Sequence, residues 1–465
     1  MTRNALVALA SLMLACSIPQ APEVPGASGL ALVDVTIVDV ETGRLIGGQT
    51  VLIEDSRISA VVAAADASVP PGMRIVDGGG RFLIPGLWDM HVHLSDGDVT
   101  DLQLFVAHGV TAVRDMGGAW ETIQTWRDQI QTGQLVGPRV IAAGPIVEDA
   151  RWLQAVLSIT EGRAYLEGNP RLSVANAEEA RGVVDSLALL GVDFIKVRTA
   201  PPPDAYLALV EQARARHLSV VGHVPGGEIG LATAIEVGQA GFEHIDGLTG
   251  ELDGMSSLDR NELIRLMAER GVVFTPTLVT EMRRLYPAEA VSAIVQDSLG
   301  LLDPRRRYIS EALLAFWQVQ EELDRYDSPR DWPPIIARAL GYAREMHRAG
   351  VPILAGTDFG GRLVYPGSSL HDEMALLVEQ LGLSPLEAIQ AATINPAEFL
   401  RQQDVFGTVA PGKRADLVLL DANPLDDVRN VERIHLVVVG GQLLTSEDLA
   451  GLRADALRRP LPKED

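Results

Sequence analysis

Asp89, His91 and His93 stand at alternate positions in Leu87-Trp88-Asp89-Met90-His91-Val92-His93-Leu94. Pro85-Gly86 precede this stretch and Ser95-Asp96-Gly97 follow it, so it reads as a strand. Successive strand side chains point to opposite faces. Asp89, His91 and His93 would share one face, and Trp88, Met90 and Val92 the other. Two imidazoles at i and i+2 can then converge on one point beyond the strand, as ligands of a metal would at a barrel mouth. A pair of solvated histidines on an edge strand fits the same spacing, so other residues must decide.

Four of the nine histidines fall in apolar, strand-like runs. Besides His91 and His93 they are His223, closing Leu218-Ser219-Val220-Val221-Gly222-His223, and His244, in Gly241-Phe242-Glu243-His244-Ile245. Asp358 closes the run that starts at Val351. Lys196 lies inside Phe194-Ile195-Lys196-Val197, where a cation is costly to bury. Taken singly, each has a plain explanation: a hydrogen-bonded core histidine, or an aspartate capping a helix.

The elements that carry these residues alternate strand and helix. Further strand runs are Gly109–Asp115, Arg139–Ala143, Val192–Val197 and Val272–Pro276, giving eight in all. Helical patterns such as Ala177–Leu190, Asp204–His217, Ile229–Gly238 and Ala337–Ala349 lie between them. Eight such units predict an α/β chain with a (β/α)8 TIM-like barrel. An open doubly wound sheet is the alternative, but no Gly-x-Gly-x-x-Gly opens a helix after the first strand. Six ligand-type residues at the carboxyl ends of five barrel strands are hard to assign to packing, because this fold keeps its catalytic residues there. Two connections, Gly144 to Ser173 and Thr277 to Pro334, are long enough to shape a pocket or lid. Short alternating runs at 29–84 and 401–445 predict a small β-sandwich built from both chain ends, flanking a barrel at 85–400 and followed by a tail at 446–465.

With 47% hydrophobic and 22% charged residues, the 465-residue chain has ordinary globular composition. Its net charge of −23 argues against nucleic acid or an anionic membrane surface as partner. A homo-oligomer is compatible with it. Cys16 is the only cysteine, which excludes an intrachain disulfide and a cysteine-based zinc site. It directly follows the apolar run Ala5–Ala15, too short to span a membrane. Residues 1–16 resemble a bacterial lipoprotein signal with Cys16 as the lipidation site, and 17–28 a tether. Export is expected, to the periplasm or to a membrane reached only through that lipid anchor.

As a set, Pro85–His93, Gly109–Gly118, Asp193–Lys196, Gly222-His223, Glu243-His244, Gly356-Thr357-Asp358 and Pro411–Val418 resemble the amidohydrolase superfamily. The branch is the binuclear-metal, carboxylated-lysine one, closest to imidazolonepropionase-like and Xaa-Pro dipeptidase-like members. The resemblance implies that His91, His93 and Asp358 hold one metal ion, usually zinc, and His223 and His244 a second. A carbamate formed from Lys196 and CO2 would bridge the two. It implies hydrolysis of an amide or cyclic amide C–N bond in a small molecule, a dipeptide or N-acyl amino acid being candidates. A metal-bridging hydroxide would attack, and Asp358 would carry the proton to the leaving amine. Asp89 and His371 are candidates for supporting the ligands, and Arg114 and Arg198 for binding a substrate carboxylate. Dipeptidase-like relatives often carry a tyrosine where this chain has Pro225, so the carbonyl-polarising group is open. The alternatives are a single-metal deaminase, disfavoured by Lys196, and a non-catalytic metal- or solute-binding lipoprotein, disfavoured by Asp358.

Overall fold

The computed structural model describes residues 29–166, 169–323 and 330–457. The expected leader and tether, with Cys16, lie outside them, as do residues 458–465 of the expected tail. Among the described residues no helix is long and apolar enough to cross a membrane.

Seven strands of the barrel are Leu87–Val92, Val110–Asp115, Arg139–Ala142, Ile195–Val197, Val220–His223, Gly241–Glu243 and Val273–Thr275. The stretch that runs from Ile353 to Thr357, bonded to the seventh strand and the first, takes the eighth place. Neighbours pair in parallel. Asp193 N donates to Ala142 O (2.9 Å), and a bridge links Phe274 to Ile353. The ring closes where Met90 N reaches Ala355 O (2.8 Å) and Asp358 N reaches His91 O (2.7 Å). Asp89 locks the same seam: its carboxylate accepts from Thr357 N (2.9 Å), Thr357 Oγ1 (2.6 Å) and His91 N (3.2 Å). Burial pushes this carboxyl up to about 7 against those bonds.

These strands are buried on both faces, so their polar members, such as Asp89 and Arg114, find hydrogen-bond partners inside the protein. Side chains of Trp88, Met90, Ile141, Phe194, Val221, Val273 and Leu354 meet inside the ring and are joined there by Ala397 and Phe406. A second, larger core lies between strands and helices. Val92 belongs to that outer core, so it does not share a face with Trp88 and Met90. The cause is an irregular register between Asp89 and Val92, which breaks strict alternation.

The segments that precede and follow the barrel join in one eight-stranded sheet. Phe82–Pro85 lies between Leu30–Asp39 and Leu417–Leu420, and Leu417 pairs with Pro85. Leu32, Val51, Leu83, Leu417 and Leu436 share its own core. The stretch expected as a tail begins with a helix, Ser446–Leu457, which docks on the barrel: Arg453 Nη1 donates to Ala107 O (3.1 Å).

The first long connection is itself built into the sheet. Past Gly144 the chain forms Ile146–Asp149, which pairs with the fourth strand through Val147 and Val197, and Arg171–Val174 pairs alongside it. Helices Ala150–Leu157 and Thr160–Leu166 lie between these two strands. Only glycine fits at position 222, because a Cβ there would lie 1.8 Å from Val197 O at a φ of +158°. Gly222→Ala should therefore push apart the fourth and fifth strands and lower stability by about 1–3 kcal/mol or more. Thermal and urea unfolding of the variant against the parent checks this, and an unchanged midpoint would refute the close approach.

Candidate metal centre

Five strand ends bring His91, His93, Lys196, His223, His244 and Asp358 together. His91 Nε2 and His93 Nε2 lie 3.3 and 3.6 Å from Asp358 Oδ1. The ring of His244 is centred 4.7 Å from those of both His91 and His223. His93, Lys196, His223, His244 and Asp358 line one cavity of about 230 Å³. His91 is wholly buried, with its ring against that of His244.

Local backbone explains how each group is aimed. Gly356 lets the eighth strand approach the first, since a Cβ there would lie 2.9 Å from both His91 N and His91 Cβ. His244 (φ +66°) and Asp358 (φ +60°) both sit in the left-handed region, which costs energy for residues other than glycine. At each the strand stops and the side chain turns from the pleat. This is why Glu243 and His244, consecutive in sequence, both serve the same site.

Hydrogen bonds fix the tautomers. His93 Nδ1 faces the carbonyl of Gly117 (2.9 Å), which can only accept, so Nδ1 carries the proton. Thr277 Oγ1 donates to Pro276 O (2.9 Å) and so accepts from His244 Nδ1 (2.7 Å). His91 Nδ1 meets Glu243 Oε2 (2.9 Å), and Arg114 Nη2 binds both oxygens of that carboxylate (2.8 and 2.9 Å). In all three rings Nε2 is left with its lone pair free, the form in which imidazole binds metal.

Protonation states follow burial. His91, His223 and His244 are held well below the usual imidazole range, and His93 is lowered to about 3, in each case chiefly by burial. For His91, His93 and His223 the nearby Lys196 adds to it. Burial also lowers the Lys196 ammonium and raises the Asp358 carboxyl, and each of these two partly offsets the other's shift. His91 Nε2 and Lys196 Nζ are buried without a hydrogen-bond partner. Buried polar atoms of native proteins are rarely left so. A cation among these lone pairs would satisfy the imidazoles, and the donor set of nitrogens and a carboxylate oxygen suits zinc. Among the described residues His91, His93 and Asp358 bring their ligand atoms within 4.8 Å of one another, close enough to hold one metal ion.

Three expectations need correction. Arg114 does not reach the cavity: it is wholly buried, bonded to Glu243, Met90 O (2.6 Å) and Thr275 Oγ1 (3.1 Å), and so supports His91 from behind. His371 hydrogen-bonds His108 O (2.9 Å) and packs on the His108 ring, with no hydrogen bond to the cluster among the described residues. Asp89 orients the backbone of His91 and Thr357, not an imidazole ring. Arg198 does line the cavity.

Sequence reasoning passed over Glu243, Arg171 and the ion-paired group Asp246, Glu281 and Arg284, which also border the cavity or its histidines. Glu243 carried a signal in standing beside His244, but a strict period of two assigns it to the other face. Tyr165 and Phe316, one from each long connection, stack over the cavity (5.5 Å between centroids, 24° between planes).

The sequence profile of the Amidohydrolase family matches residues 82–444. Ochratoxinase of Aspergillus niger is 26% identical over 425 residues, 80% of this chain and 78% of that protein. Among solved structures, bottromycin amidohydrolase is similar with a TM-score of 0.71 at 24% identity, over 92% of this chain and 90% of that one. A Xaa-Pro dipeptidase matches with a TM-score of 0.66 at 22% identity, over 90% and 100%. At these identities the two structures show a shared fold.

Arg114→Met would leave the Glu243 carboxylate buried without its partner, at a cost of about 3–5 kcal/mol. Adding Glu243→Gln should recover a large part of that loss in denaturant unfolding. A single variant as stable as the parent would remove Arg114 from this supporting role.

Proposed function

The chain belongs to the amidohydrolase family, and from that premise we propose that it is a binuclear metal hydrolase acting on amide or cyclic amide bonds. The observation that carries the reading is the convergence of unprotonated imidazole Nε2 atoms and the unpartnered Lys196 Nζ beside Asp358. His91, His93 and Asp358 would hold one divalent ion, expected to be zinc, and His223 and His244 a second. Bound there, such ions supply a water of lowered pKa and polarise the scissile carbonyl.

Lys196 is suited to carbamate formation because its ammonium form is disfavoured among apolar residues. Its neutral amine adds to the carbon of CO2 and loses a proton, and the product gains one negative charge and two oxygens. That charge opposes those of the cations. A single-ion deaminase would have no use for it.

Asp358 stands close to both His91 and His93 and opens on the cavity. In the proposed reaction it accepts the proton released by the attacking water and delivers it to the departing nitrogen. Glu243 and Thr277 hold His91 and His244 in one tautomer while this happens. Pro225 offers no hydroxyl to the carbonyl oxygen, unlike the tyrosine of dipeptidase-like relatives. Dipeptides and N-acyl amino acids are the substrate classes proposed first. The work is done outside the cytoplasm, on a chain tethered through Cys16.

Lys196→Ala should lose bound metal and activity together. Metal analysis of parent and variant, run beside a screen of dipeptides, N-acyl amino acids and lactams, tests this. A variant with two ions and full activity would sink the binuclear reading. Less than one ion in the parent, with no hydrolysis, would favour a binding protein.

A further inference from the structure

We propose that the cleft between the barrel and the eight-stranded sheet is a second ligand site, which binds the carboxylate of a small organic acid through Arg139 and Arg414. This site does not depend on the hydrolase reading, since binding alone reveals it.

The cleft holds a cavity of about 520 Å³ that shares no residue with the cavity of the metal centre. At this size it lies within the usual range for small-molecule sites. The barrel supplies Arg139, which opens the third strand, and the end of helix Trp120–Gln131. The sheet and its turns supply Ser56, Arg414, Asp416 and Gln442. Arg139 begins its strand, whereas the histidine cluster stands where the strands end, so the cleft lies on the opposite face of the barrel. Pro411–Val418, one of the stretches that mark the family, reaches this cavity and not the metal centre.

The charges here do not balance. Four charged residues line the cavity: Arg127, Arg139, Arg414 and Asp416. Arg127 is paired with Asp193 (3.0 Å), outside the lining. Asp416 accepts from Gly440 N (2.6 Å), and among the described residues no ion pair joins it to either remaining arginine. Two guanidiniums and one carboxylate leave one positive charge in excess. Arg139 makes no side-chain hydrogen bond among the described residues, and Arg414 makes one, from Nη1 to Ser56 Oγ (2.8 Å). The Nε atoms of both are buried without a hydrogen-bond partner. Burial lowers the Arg139 guanidinium below its ordinary value; the Asp416 charge offsets this only in part, and the Arg414 charge adds to it. A guanidinium so placed costs stability until an anion meets it.

The excess of one charge selects the anion. A carboxylate brings one negative charge, while a phosphate brings about 1.5 to 2 near pH 7. Arg139 packs on the Phe406 ring, 4.7 Å from guanidinium carbon to ring centre, so its fork is fixed in place. Ile130, Leu135, Val136 and Val439 line the same cavity, and their apolar surface suits an acid with an apolar body. The net charge of −23 argues against a polyanion as the occupant.

Calorimetric titration and thermal unfolding with benzoate, benzamide and inorganic phosphate, at pH 7 and constant ionic strength, test the site. Benzoate should bind the parent and raise its unfolding midpoint by about 3 °C at about 100 times its Kd. Benzamide has the same shape without the charge and should do neither. Arg139→Met and Arg414→Met should each weaken benzoate binding by about 10- to 100-fold, and Arg139→Lys should recover part of the loss. In ligand-free buffer Arg139→Met should unfold at or above the parent's midpoint, because it removes an unpartnered charge. Benzoate bound equally by the parent and both variants lies elsewhere, the metal centre included, and overturns the proposal. So does a lowered ligand-free midpoint in Arg139→Met with the benzoate effect intact, which would leave Arg139 a structural role on Phe406. Should Arg139→Met both unfold early and lose benzoate, Arg414→Met decides by the same comparison. Phosphate bound as tightly as benzoate would make the cleft a general anion site and overturn the carboxylate assignment.

Discussion

A buried ion pair beneath the histidines is the interaction on which the centre depends. Arg114 and Glu243 are both shut off from water, an arrangement whose desolvation costs several kcal/mol per ion. Neither lines the cavity. What the pair achieves is directional. A carboxylate bound through both oxygens to a guanidinium presents His91 with an acceptor only, so Nδ1 must donate and Nε2 must keep its lone pair. The same guanidinium reaches Met90 O on the first strand and Thr275 Oγ1 on the seventh. Tautomer and strand positions are thus set by one network, and an apolar substitute of equal volume would keep the packing while freeing the imidazole to turn.

The cluster above that pair has the opposite character. Four uncharged imidazoles, a lysine with its ammonium disfavoured and a carboxyl with its ionised form disfavoured crowd into one small volume. None of these groups supports the fold by staying there unliganded, since each loses hydration and neither His91 Nε2 nor Lys196 Nζ gains a hydrogen bond in return. The left-handed backbone at His244 and Asp358 adds further cost. Backbone strain and unpartnered lone pairs gathered in one place suit a metal cation, which several of them can hold at once.

Much of this was legible in the sequence. Apolar runs separated by helical patterns announced the eight barrel strands, and the rarity of histidine and lysine inside such runs marked four strand ends, with Asp358 marking a fifth. What escaped has identifiable causes. A strict period of two put Val92 with Trp88 and Met90, and Glu243 opposite His244; an irregular register and a left-handed residue overrule it at those points. Arg114 sits near the end of a strand, where an arginine facing the mouth and one facing a buried glutamate look alike, because the deciding partner is 129 residues away. Ile146–Asp149 read as loop because two apolar residues followed by Glu148 and Asp149 carry no strand period. Its strand character comes from pairing with Val197.

That last oversight matters for specificity. Loops at a barrel mouth are the usual seat of substrate selection, and they are usually its least rigid part. Here the connection after the third strand is not free. Glu148 stands on a strand that extends the barrel sheet, and Arg171 stands on a second strand paired alongside it, with Arg171 opposite Ile146. Arg198 follows the fourth strand directly and donates its backbone N–H to Val147 O (3.1 Å). The three charged groups are therefore held by sheet hydrogen bonds that also run to Lys196's own strand. Charged groups tied in this way to the strand of Lys196 keep their distance to the histidine cluster whatever the outer helices do.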